Sequence, residues 1–420
     1  MSSQTAEIPD FECTSTKPTA VVLIADSFQS AGIDYLESLG CKIVIDPALQ
    51  GDLLVSAIEN SNPDILVVRS TKVTASMMDA SEHLSIIIRA GAGFDTIDIQ
   101  SASSRGISVA NCPRKNSVAV AELTWGLILS CDRRIPDQVI DLKNGCWDKN
   151  EYSKAQGLFG RTIGIIGLGG IGQEIITRAQ AFGMNVIAWS RSLTDVQAEQ
   201  LGITRCKDVI ELAKESDVVS VHVSSSQETK QLINEQFLAA MKDNAIFINT
   251  SRGSVVDEAS LAEAVRAKGL RVGLDVYEQE PSSGDNTFYS PIIKEQGVYG
   301  THHVGASTSQ AQEAIATEAV RIIETFVREG RVIHCVNQSM KDSTAVMLSI
   351  RHKNLPGVLA HVFDELSISG INVEEMENIL YKGEKAACAR IQLSTIPTQQ
   401  QLTVIKSNEN ILSVTLTTQQ

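Results

Sequence analysis

Three side chains in the C-terminal half of this chain could together move a proton at a small anion. Arg252 closes the run Ile248-Asn249-Thr250-Ser251-Arg252-Gly253, Glu280 precedes Pro281, and His303 lies in His302-His303-Val304-Gly305-Ala306-Ser307. When hydride leaves a carbinol carbon, the adjacent hydroxyl proton must be taken up. Histidine, with an unperturbed pKa of roughly 6.5, suits that exchange near neutral pH. A carboxylate such as Glu280 would orient the ring and balance its charge, and Pro281 stiffens the chain just after it. The planar fork of Arg252 matches a carboxylate better than a lysine would, and could polarise a neighbouring 2-oxo group. Taken singly, these are an ordinary core histidine, a strand-end arginine and a surface glutamate. Placement joins them: Asn244–Asn249 and Arg271–Val276 read as buried strands, with Arg252 and Glu280 just past their carboxyl ends. Ligands of open α/β sheets bind at that edge.

The partner for such a reaction is written upstream. Gly167-Leu168-Gly169-Gly170-Ile171-Gly172 follows a strand-like run, Thr162–Ile166, and precedes an expected helix, Gln173–Phe182, and a second strand, Asn185–Trp189. Gly167 permits the tight exit, Gly169 the approach of a pyrophosphate, and Gly172 close helix–strand packing. The pyrophosphate would rest on the helix N-terminus. The second strand ends in Trp189-Ser190-Arg191-Ser192, without the acidic residue that usually takes the ribose 2′-hydroxyl. Arg191 either pairs with a 2′-phosphate or stands solvated while other contacts hold the ribose, so NAD(H) and NADP(H) both stay open.

Further cations lie before the fingerprint. Ile65–Arg69 is strand-like and leads into Ser70-Thr71-Lys72. Ser85–Arg89 leads into Ala90-Gly91-Ala92-Gly93-Phe94-Asp95, a glycine turn whose N–H groups could meet a carboxylate. Asn111-Cys112-Pro113 follows a third strand. Convergence of Arg69, Lys72 and Arg89 with Arg252 fits a substrate with both carboxylate and phosphate. The plainer alternative makes Arg69 and Arg89 structural ion pairs and Cys112 a buried, inert thiol.

GLGGIG, INTSRGSVVDE, GLDVYEQEP and HHVGAST resemble the signatures of the D-isomer-specific 2-hydroxyacid dehydrogenases, a likeness running from about Val21 to the C-terminus. RS-x-KVT, RAG-x-G-x-D and N-x-P resemble the members that oxidise 3-phosphoglycerate. The resemblance implies that Arg252, Glu280 and His303 are catalytic and that Asp275 contacts the nicotinamide amide. It also implies that Gly170, Ile171, Ser190, Thr250 and His303 line the cofactor, and that Arg69, Lys72, Arg89, Gly91 and Asn111 line the substrate. The chain departs from the pattern three times. His302 stands where Pro usually precedes the histidine, Ser224 replaces a Pro after strand Val218–Val223, and the stretch between Glu280 and His303 is longer.

These parts need a scaffold of two or three domains, as 420 residues allow. Alternating strands and helices from Ala20 to Asn111 read as one doubly wound unit. The expected division is a disordered segment 1–17 and a substrate domain of 18–112 with 307–337. A Rossmann domain 113–306 and a C-terminal module 343–420 complete it. Val118–Cys131 and Gln310–Glu329 read as the crossing helices, and a cleft between the domains would close by a hinge to exclude water. The module reads as βαββαβ, ferredoxin-like, with Pro356 in the first turn of its helix. His352-Lys353-Asn354-Leu355-Pro356-Gly357 and Gly370-Ile371-Asn372 resemble an ACT domain, which implies pairing into a homo-oligomer (dimer or tetramer). It also implies an L-serine effector site at His352, Asn354 and Asn372; a purely structural pairing module is the alternative.

Composition narrows the rest. Lys+Arg total 36 against Asp+Glu 50, a formal charge of −14, which argues against nucleic acid as partner. No apolar run approaches a membrane span. Segment 1–17 lacks the apolar core or arginine pattern of a targeting peptide. The eight scattered cysteines, with no CxxC, fit reduced thiols in a cytoplasmic protein, and no metal-ligand spacing appears. Two rivals share these features. One is a dehydrogenase of another 2-oxo acid (glyoxylate, hydroxypyruvate or 2-oxoglutarate), and the other a non-catalytic, corepressor-like sensor of NAD(H).

Overall fold

The computed structural model describes residues 19–281, 287–339 and 346–418; segment 1–17 and part of the long stretch after Glu280 lie outside the described residues. The chain divides into two compact units, with the division between Asn337 and Gln338.

Runs such as Ile65-Leu66-Val67-Val68 are buried on both faces, as interior strands of a helix-covered parallel sheet must be. Five strands, β1 (Val21–Ile24), β2 (Lys42–Ile45), β3 (Ile65–Val68), β4 (Ile86–Arg89) and β5 (Ser108–Asn111), form a parallel sheet in the order β2-β1-β3-β4-β5. The helix Ser117–Arg133 then leads to a second sheet, packing Ala121, Trp125 and Ile128 into its core.

That sheet comprises β6 (Thr162–Ile166), β7 (Asn185–Trp189), β8 (Thr204–Arg205), β9 (Val218–Val221), β10 (Ile246–Asn249), β11 (Arg271–Leu274) and β12 (Val298–Gly300). It is parallel throughout, in the order β12-β11-β10-β9-β6-β7-β8. Connectivity reverses between β6 and β9, which opens a crevice at their carboxyl ends. The helix Ser309–Glu329, capped by the Thr308 hydroxyl and ended by Gly330 at φ 66°, returns to the first lobe. There Ile315, Ala319, Ile322 and Ile323 pack against Val22, Ile65 and Ile86. No helix among the described residues is long and apolar enough to cross a membrane.

The second unit is an antiparallel sheet of β13 (Val346–Lys353), β14 (Val373–Leu380), β15 (Ala386–Leu393) and β16 (Ile411–Thr418), in the order β14-β15-β13-β16. With helices Val358–Ile368 and Gln399–Lys406 it has the expected βαββαβ succession, around Leu348, Ile350, Val362, Leu366 and Ile391. Pro356 is not in the first helical turn as expected. Gly357, at φ 86°, is the N-cap and the helix begins at Val358. A left-handed turn therefore separates the proline from the helix.

Candidate active site

The fingerprint glycines differ in what surrounds them. Gly167 has φ +95°, and an added Cβ would lie 2.5 Å from the His222 carbonyl. At Gly172 an added Cβ would overlap the Gly167 carbonyl, whereas at Gly169 nothing lies within 4 Å. The following helix starts at Gly170, three residues earlier than expected, because its first turn carries glycines that show no apolar periodicity. Gly169 is its N-cap and offers no side-chain bond. No N-cap side chain takes up the first-turn N–H groups, and the backbone at Gly169 can be approached closely, which suits a pyrophosphate. The residues present fit a dinucleotide, with Ile171 and Ser190 half-buried beside the turn. Beside Gly167 the buried His222 contacts Ser220 at 2.8 Å, and its Nδ1 has no protein partner. Burial pushes its pKa down to about 3 and keeps it neutral.

At the ribose end the structure adds what the sequence reading lacked. Exposed Arg191 forms an ion pair with Glu228, from the loop after β9. A carboxylate does stand at the end of β7, supplied from 37 residues away.

Beyond β10 and β11 His303 and Glu280, expected as an acid–base pair, come together. His303 Nδ1 lies 2.7 Å from Glu280 Oε2, while Glu280 Oε1 accepts the Tyr277 amide at 3.1 Å. Burial pushes the Glu280 carboxyl up, but His303, the Tyr277 amide and Arg252 outweigh it and hold it below its ordinary value. His303 has φ 53°, in the left-handed region where histidine is tolerated better than most side chains. Asp275 maintains that turn: its buried carboxylate accepts the Val304 and Gly305 amides at 2.9 and 2.8 Å and the Thr301 hydroxyl at 2.6 Å. Thr250 is buried against the Thr124 hydroxyl at 2.9 Å.

Across the cleft, three guanidiniums gather at the glycine turn after β4. Arg89 is mostly buried with its Nε unpartnered. Burial first, then repulsion from Arg252 and Arg69, pulls its pKa down to about 10. Arg252 Nε donates to Asp95 Oδ2 at 2.6 Å. A Cβ on Gly91 or Gly93 would overlap the guanidinium of Arg89 or Arg252, so the glycines are required by close approach. Asn111 supports the loop, donating from Nδ2 to the Ala92 carbonyl at 2.6 Å. Arg69 lines a cavity of about 110 Å³ with Ser27, Phe28, Gln29, Ala90 and Gln312, whereas Lys72 is exposed. Cys112 is buried, and burial pushes its thiol up to about 12.

In the second unit the three expected effector residues do not meet. β13 continues to Lys353, so His352 sits inside a strand. It is 2% exposed, with Nδ1 2.8 Å from the Lys353 carbonyl and Nε2 3.2 Å from Asn378. Asn354 donates to the Glu384 carbonyl at 2.9 Å at the same end. Asn372 precedes β14, whose first residue shares the level of Val346 through Leu393. At ~3.3 Å per residue that is roughly 20 Å from His352.

Sequence reasoning also missed Asp95 and Glu228 as partners, and Asn249, whose Oδ1 accepts from the Ser251 amide at 3.0 Å and hydroxyl at 2.7 Å. Its Nδ2 donates to the Arg252 carbonyl, fixing the turn that carries the guanidinium. The unbroken Ile-Asn-Thr-Ser-Arg-Gly run was the available signal for Asn249.

Comparison with known proteins bears on the same residues. The family profile described as D-isomer specific 2-hydroxyacid dehydrogenase, NAD binding domain, matches residues 125–305. The chain is 36% identical over 367 residues to the D-3-phosphoglycerate dehydrogenase of Methanocaldococcus jannaschii, covering 87% of this chain and 68% of that one. It is 43% identical over 264 residues to the hydroxypyruvate reductase of Thermotoga maritima, covering 62% and 83%. Among solved structures, the TT0316 protein of Thermus thermophilus superposes with a TM-score of 0.67 at 31% identity, over 75% of this chain and 99% of that one.

Proposed function

This chain belongs to the D-isomer specific 2-hydroxyacid dehydrogenases, and on that premise we propose that it oxidises D-3-phosphoglycerate to 3-phosphohydroxypyruvate. The observation that carries the substrate choice is the cluster of Arg69, Arg89 and Arg252 around one glycine turn. Asp95 offsets one of the three charges, so a lone carboxylate would still leave a guanidinium without a counter-charge, whereas a carboxylate with a phosphate supplies one.

A bound nicotinamide supplies the hydride acceptor. Arg252 grips the substrate carboxylate and turns C2 toward it. Because Nδ1 of His303 is engaged by Glu280, Nε2 takes the hydroxyl proton as hydride leaves C2. Glu280, held by the Tyr277 amide, balances the imidazolium that forms. In reduction the proton returns along the same path. NAD(H) is favoured over NADP(H), since a 2′-phosphate would have to displace the Glu228 carboxylate from Arg191.

Serine control belongs to the same reading and needs two chains. His352 and Asn354 of one copy lie at the end of the sheet opposite its own Asn372, so a three-residue site takes Asn372 from a second copy. The 43% identity to a hydroxypyruvate reductase supports a second reading, an unphosphorylated substrate.

The test is steady-state reduction of 3-phosphohydroxypyruvate and hydroxypyruvate, each with NADH and NADPH, with and without L-serine. Higher kcat/KM on the phosphorylated acid, with inhibition by serine, supports the proposal. Preference for hydroxypyruvate overturns the substrate assignment, and indifference to serine overturns the regulatory one.

A further inference from the structure

We propose that Asp95 is the positioning residue of Arg252: from the opposite lobe it holds one edge of the guanidinium so that the remaining N–H donors present themselves to the substrate. The inference rests on the proposed role of Arg252 as the carboxylate clamp.

Asp95 ends the glycine turn after β4, whereas Arg252 follows β10 in the other sheet, 157 residues away. Its Oδ2 accepts from Nε at 2.6 Å and its Oδ1 lies 3.4 Å from a terminal nitrogen, a side-on bidentate approach. The Ser251 carbonyl accepts from the other terminal nitrogen at 2.7 Å. Of the five N–H donors of a guanidinium, these bonds use three. One N–H on each terminal nitrogen is left without a protein acceptor among the described residues. Those two are the donors an incoming carboxylate can take in a fork.

Charge supports the same assignment. Arg252 and Arg89 repel one another, and Asp95 is the carboxylate that acts on both. Burial pushes the Asp95 carboxyl up, yet the Arg252 hydrogen bond and the two guanidinium charges hold it below its ordinary value, so it is ionised at neutral pH. Without that charge Arg252 would be free to swing away from Arg89. Gly93 leaves room for the arrangement, because an added Cβ there would overlap the Arg252 guanidinium. The pair also spans both lobes, so it sets the guanidinium relative to both His303 and the glycine turn.

The experiment compares the full-length chain with Asp95→Asn and Asp95→Glu on whichever 2-oxo acid the parent reduces best. Asp95→Asn keeps an acceptor but loses the charge and the bidentate grip. It is expected to lower kcat by about 10–100-fold, as loss of orientation does, with NADH binding by fluorescence unchanged. KM should rise less than threefold, because the cleft gains net positive charge. Asp95→Glu, which keeps the carboxylate, should recover at least a third of the lost kcat. Asp95→Asn with kcat within twofold of the parent overturns the proposal, as does a folded Asp95→Glu no better than Asp95→Asn. A parent that turns over no 2-oxo acid would instead defeat the functional reading on which it rests.

Discussion

Gly253 offers the sharpest test of how closely the reacting groups are packed. It follows Arg252 and opens a single 3-10 turn, Gly253–Val255. A Cβ built there would lie 1.8 Å from the Tyr277 carbonyl oxygen and 2.5 Å from the Glu278 nitrogen. Both are backbone atoms, which no rotamer change can move. Ordinary contact needs about 3.5 Å, so Gly253→Ala must separate the two segments by about 1.7 Å. One carries Arg252; the other carries Tyr277, whose amide holds Glu280 and through it His303. A misplacement of about 1 Å costs on the order of 10²-fold in rate. We therefore expect kcat to fall about 100-fold, with an overpacking cost of roughly 1–3 kcal/mol that a protein of ordinary stability survives. The assay is kcat on the best 2-oxo acid, after circular dichroism and a thermal melt establish folding. NADH binding should persist, since the fingerprint lies across the sheet on β6. Gly126→Ala is the control, because a Cβ there meets nothing within 4 Å inside a helix and should be neutral or slightly stabilising. A folded Gly253→Ala enzyme with kcat within threefold of the parent would refute the reasoning.

Other perturbations probe separate links. His303→Ala should lower turnover by about 10²–10⁴-fold while calorimetry shows cofactor binding intact; near-normal rates would assign the proton to another group. Glu228→Gln frees Arg191 and should raise the ratio of NADPH to NADH kcat/KM about tenfold or more, and an unchanged ratio would remove the pair from cofactor selection. Buried Glu318 accepts contacts from Lys115, Arg321 and His334 at 3.0, 2.8 and 2.9 Å. Burial raises its pKa, but these three partners outweigh that and leave it below the ordinary carboxylate value. Its stabilising contribution is therefore complete above the unfolded pKa of roughly 4.3 and lost as pH falls through the depressed folded value. Glu318→Gln should cost about 1–3 kcal/mol at neutral pH and flatten the acid limb of a urea-melt pH profile; an unaltered acid limb would contradict this.

Apart from the two edge strands Thr204–Arg205 and Val298–Gly300, the strands of both parallel sheets, the fingerprint and the order of the C-terminal module were legible because each is encoded locally. A buried strand is a run of Ile, Val and Leu, and a phosphate turn is a set of glycines at fixed spacing. Arg252 and Glu280 could be named because each follows such a strand at its carboxyl edge, where the topology places ligands, and His303 because its motif resembles that of the family. Their approach to one another is a property of the folded sheet, as is the support of His303 by Asp275. Two ion pairs at the site were not legible: Asp95 meets Arg252 across 157 residues and Glu228 meets Arg191 across 37. A charge has no periodicity, and its partner depends on the path of the whole chain. The same holds for His352 and Asn372, assigned to one site by the resemblance yet placed at opposite ends of one sheet. Local patterns of side chains determined which elements form and which residues stand at their ends. Tertiary packing alone decided which of those residues face each other, because long-range contacts are selected by the joint burial of every element rather than by any segment.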